Sequence, residues 1–122
     1  MLNTLLRAIP RVLVLTTSLF LPHVWAGTQG DAWGQIQRVQ IAADGKLWFA
    51  MGTAPATTYC KEGWANLNLF VPKDHPEYPY YYAMLVTAVS KGKSVLVANL
   101  DMFDGTGPCD ITKTGYGLVL LQ

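Results

Sequence analysis

A tryptophan and two carboxamides are the residues of this chain best suited to ligand chemistry. Trp48 lies in KLWFAM (46–51), opposite in parity to Leu47, Phe49 and Met51. Asn66 and Asn68 lie in WANLNLFV (64–71), opposite in parity to Leu67, Leu69 and Val71. If both segments are paired strands, the three side chains share one outer surface. An indole face stacks on the C–H groups of a sugar while amides satisfy its hydroxyls. The competing assignment has Trp48 covering a helix or a neighbouring chain and leaves the asparagines merely solvated.

Other groups carry less chemistry. Tyr78, Tyr80, Tyr81 and Tyr82 offer amphipathic contact area at small entropic cost, or rings that pack inward with wet hydroxyls. Asp101, Asp104 and Asp110 fall near Gly105 and Gly107, but without the alternating ligands and closing Glu of a calcium loop, so no metal is expected. His75 follows Asp74 in a proline turn, which does not make a catalytic dyad. No nucleophile elbow or phosphate-cradling glycine motif is present. The residues point to no catalytic role and no cofactor.

Cys60 and Cys109 are the only two cysteines, so one intramolecular disulfide is possible. It is expected because the chain opens on an export signal. Arg7 and Arg11 provide a positive n-region, Val12–Leu21 an apolar run, and Val24-Trp25-Ala26 a cleavage site. Residues 1–26 are therefore expected to be removed. Residues 27–122 would form one domain in the periplasm or outside the cell, without stable membrane insertion. That domain holds seven Lys and Arg against eight Asp and Glu, a net charge of −1. With no basic cluster, nucleic acid is not the expected partner. The full chain of 122 residues is 51% hydrophobic and 14% charged, which excludes a disordered polymer.

The elements that position these residues follow from pattern. Trp33–Ile41 alternates, with a parity change between Ile36 and Val39 that suggests a bulge near Gln37-Arg38. Asp44-Gly45 marks a hairpin turn and 46–51 the second strand. Residues 52–63 read as a loop, and 64–71 as a third strand ended by Pro72. Tyr80–Lys91 reads as a helix between Pro79 and Gly92. Residues 94–100 and 115–121 complete five strands. The order β-β-β-α-β-β predicts a mainly β, five-stranded Greek-key barrel of the OB-fold type, with one helix between strands three and four. An open antiparallel sheet with one helix across a face is the alternative.

The series Trp33-x-x-Ile36, Asp44-Gly45-x-x-Trp48-Phe49, Cys60-x-x-x-Trp64, Tyr82-Ala83-Met84-Leu85, Gly92-Lys93-x-Val95 and Cys109 resembles small exported bacterial OB-fold proteins. These include the receptor-binding B subunits of AB5-type toxins, notably the subtilase-cytotoxin B-like group. The resemblance implies glycan binding and assembly into a ring, and it assigns no contact residue. The expectation is an exported, non-catalytic module that binds a glycan or a protein and can form a homo-oligomer. A periplasmic accessory or inhibitor protein acting through protein contacts is the alternative.

Overall fold

The computed structural model describes residues 30–122. The expected leader, 1–26, lies outside them. The fold is mainly β. Its strands are β1 (Ala32–Ile41), β2 (Leu47–Met51), β3 (Leu69–Val71), β4 (Ser94–Val97), β5 (Cys109–Asp110) and β6 (Leu118–Leu120). Two α-helices join them: α1 (Ala54–Tyr59) and α2 (Tyr78–Lys91). The six strands form one sheet in the order β5-β3-β2-β1-β4-β6.

β1 is the spine. Its first half pairs antiparallel with β4, from Ala32↔Val97 to Gln35↔Ser94. Its second half pairs with β2, and the register shifts between Ile36 and Arg38. That bulge makes Gln37 the extra residue and re-phases the strand, so both Ile36 and Val39 reach the core. The β1–β2 turn closes with Gly45 at φ +89, donating to the Ala42 carbonyl at 2.9 Å. A Cβ there would also stand 2.9 Å from the Lys73 side chain.

One buried cluster draws on all six strands: Ile36, Leu47, Phe49, Met51, Leu69, Val71, Val95, Val97, Cys109 and Leu118. A flat sheet does not gather its two edge strands around one core, so this sheet is curled into a half-barrel. Leu85 and Ala88 of α2 fill it from one side. α2 ends at Gly92, which takes φ +61, with Lys93 N–H donating to the Ala88 carbonyl at 2.9 Å. Tyr78 Oη donates to the Gly45 carbonyl at 3.0 Å and so ties the helix to the hairpin.

The structure departs from the sequence expectation at four places. The strand count is six rather than five, because β5 is a two-residue strand inside what reads as a polar loop. The 52–63 loop contains α1. The third strand begins at Leu69, because Trp64–Asn66 forms a 3-10 turn with Ala65 and Asn66 at positive φ. That turn undoes the parity of 64–68, and Leu67 packs on the outer face with Trp48 instead of beside Leu69. The expected fourth strand stops at Val97, and Leu100–Met102 forms another 3-10 turn.

Cys60 and Cys109 are bonded, with Cα atoms 5.3 Å apart across 49 positions of sequence. The bond joins the C-terminal end of α1 to β5. Closing a loop of this size removes about 4 kcal/mol of chain entropy from the unfolded state. Replacing both cysteines by serine is expected to lower unfolding free energy by about 2–4 kcal/mol, read as a fall in the urea midpoint.

Candidate functional site

β2 is buried on both faces. Leu47, Phe49 and Met51 enter the main core, while Trp48 and Ala50 face outward into a second cluster with Ala42, Leu67 and half-buried Phe70. Trp48 lies opposite Phe70 in the β2–β3 register, with ring centroids 4.9 Å apart. Lys46 holds its ammonium 5.1 Å from the Phe70 centroid, within cation–π range. Trp48 is only 6% exposed. It is thus the floor of an aromatic patch, with little ring face left for a ligand.

The exposed ring is Trp64. Its centroid stands 6.3 Å from that of Trp48, and the residue is 42% exposed. Local backbone chemistry puts it there. Gly63 N–H donates to the Leu67 carbonyl at 2.8 Å, and Leu67 N–H donates to the Trp64 carbonyl at 3.1 Å, so residues 63–67 close as a tight loop. The Arg38 guanidinium donates to the Ala65 carbonyl from across the sheet. A Cβ at Gly63 would stand 2.9 Å from Pro108 and 3.1 Å from the Trp48 ring, so only glycine lets the loop lie this close.

Asn68 is spent on structure. It is 5% exposed. Its Oδ1 accepts from Met51 N–H at 3.2 Å, and its Nδ2 donates to the Met51 carbonyl at 3.2 Å and the Ala56 carbonyl at 3.4 Å. One side chain thereby replaces the missing strand partner at the end of β2 and holds α1. Asn66 is exposed, at φ +63. Both asparagines line a cleft of about 520 Å³ with Gln37, Thr57, Lys61 and Glu62. The structure therefore brings Asn66 and Asn68 to one cleft and places Trp48 beneath its neighbour Trp64. Sequence parity missed Trp64 as the presented ring because it reads there as the first residue of a strand. The signal for it was its place four residues after a disulfide cysteine.

Asp110, Asp104 and His75 are engaged locally. Asp110 accepts from Thr112 N–H and hydroxyl at 2.9 and 2.6 Å. Asp104 accepts likewise from Thr106 at 3.0 and 2.6 Å, bonds that hold its carboxyl below the usual range. His75 Nδ1 accepts from the Glu77 N–H at 3.1 Å, closing the proline turn. Tyr78 is half-buried, and burial first, then Tyr82, pushes its phenol pKa up.

No protein-family model, no curated protein and no solved structure matches this chain.

The two tryptophans separate by experiment. Trp48→Ala is expected to cost about 3–5 kcal/mol of stability, as for a buried aromatic. Trp64→Ala is expected to cost under about 1 kcal/mol. Asn68→Ala strands the Met51 N–H and carbonyl and is expected to cost roughly 2 kcal/mol. Urea titrations of the three variants, followed by circular dichroism, check this ordering.

Proposed function

We propose that this chain is an exported, non-catalytic OB-fold module that binds a glycan on the Trp64 face. The single observation that carries the reading is a half-exposed indole, braced on Trp48, in a loop whose Lys61, Glu62 and Asn66 line a cleft with the Gln37 amide. A braced ring offers stacking area at little entropic cost, and the amides and charges supply orienting hydrogen bonds. The OB-fold assignment rests on topology. β5 pairs parallel with β3 and β6 pairs antiparallel with β4, so the C-terminal segment reaches both edges of the sheet. Read as two halves of one interrupted strand, β5 and β6 make five, with α2 between the third and fourth. The outer surface of strands two and three is the usual ligand face of such barrels. The Arg7–Ala26 leader pattern and the disulfide support export to the periplasm or beyond.

A second reading has its own observation. Ile41, Tyr82, Val86 and Val89 are exposed and line an open groove between β1 and α2. Apolar side chains on a helix face favour contact with a protein, either an accessory partner or further copies of this chain in a ring.

Glycan-array binding by the purified protein is expected to fall about tenfold or more in Trp64→Ala, with its circular dichroism spectrum unchanged. A blank array, together with an oligomer in native mass spectrometry that Val86→Asp dissociates, decides for the second reading.

A further inference from the structure

A separate cleft lies where the start of α2 meets the segment between β5 and β6. It encloses about 220 Å³, lined by Glu77, Tyr80, Tyr81, Met84, Tyr116 and Gly117. It adjoins a second hollow that shares Glu77, Tyr81, Tyr116 and Gly117 and adds His75 and Thr112. None of these residues belongs to the Trp64 face.

Two observations point to a ligand. Tyr81 is only 7% exposed, its ring held edge-on to His75 with centroids 5.7 Å apart. Its Oη lies against Gly117, where a Cβ would stand 3.5 Å away. Among the described residues that hydroxyl makes no hydrogen bond. That hydroxyl is not shut away from solvent, so it is open to donate to an acceptor that enters the hollow. The second observation is the sign of the field. No Lys or Arg lines either hollow, whereas Glu77 lines both. Burial, then Glu77 and Asp110, raise the pKa of the Tyr81 phenol, the direction that negative surroundings impose. The N-terminus of α2 adds about half a positive charge, which the full carboxylate of Glu77 outweighs.

The geometry points to a binding site for a small N-methylated ammonium ion carrying a hydroxyl, of the choline type, between Tyr80, Tyr81 and Tyr116. The exposed ring faces of Tyr80 and Tyr116 attract such a cation, and its methyl groups suit those rings and Met84. Glu77 supplies the opposite charge. The Tyr81 hydroxyl donates to the ligand oxygen. A neutral sugar leaves the carboxylate's field unused, and an anion is repelled by it. This site stands or falls independently of glycan binding on the Trp64 face.

Isothermal titration of the purified protein with choline chloride tests it, against sodium chloride at equal ionic strength and against glucose. Choline is expected to give saturable one-to-one binding. Glu77→Gln and Tyr116→Ala are each expected to weaken it about five- to tenfold, with circular dichroism unchanged. Tyr81→Phe is expected to weaken choline but not tetramethylammonium. Heats of choline equal to those of sodium chloride overturn the proposal. So does wild-type affinity in Glu77→Gln, or glucose binding that Tyr116→Ala abolishes.

Discussion

The covalent bond between Cys60 and Cys109 is the constraint on which the outer face of this domain depends. β5 is two residues long and α1 is six, and neither length holds an element together by itself. The bond joins the end of one to the start of the other. Around it the backbone adds Lys61 N–H to the Gly107 carbonyl at 2.9 Å and Cys109 N–H to the Asn68 carbonyl at 3.0 Å. These ties press residues 61–68 against the sheet. The Trp64 ring then rests on Trp48 because its loop has nowhere else to go.

Much of this was legible in the sequence, and the reason is local consistency. The parity change between Ile36 and Val39 corresponds to a real shift of register between Ile36 and Arg38. Asp44-Gly45 makes the hairpin turn, with Asp44 Oδ1 accepting from Lys46 N–H at 3.0 Å. Pro79 and Gly92 bracket α2, which starts one residue before that proline. Two cysteines leave one pairing. In each case the residues that specify the feature are adjacent, or are the only ones of their kind.

The parts that were not legible depend on tertiary contacts. α1 has two threonines and a tyrosine among six residues, a composition with weak helix preference. It forms because Ala56 is buried and Asn68 and the disulfide hold its end. β5 is a strand only because β3 offers a parallel partner across a long separation. The site followed the same rule. Alternation assigned Trp48 and Asn68 to the outer surface, and that surface exists. Alternation puts Phe70 on it as well, but does not reveal that Leu67 packs there with Trp48, because two residues at positive φ between Trp64 and Leu67 reset the phase.

The result is a division of labour between paired side chains. Trp48 is buried and Trp64 is presented. Asn68 is bonded and Asn66 is free to face solvent. Rigid supports beneath exposed groups are what a binding surface needs, since ordering costs are then met by folding rather than by association. The most direct test of that account is nuclear magnetic resonance of the isotope-labelled protein during titration with an oligosaccharide hit. The account predicts shifts concentrated on the Trp64 indole N–H and on the side-chain amides of Gln37 and Asn66, with the Asn68 amide the least moved of the four. Shifts centred on α2, or none on the Trp64 indole at saturating ligand, contradict it.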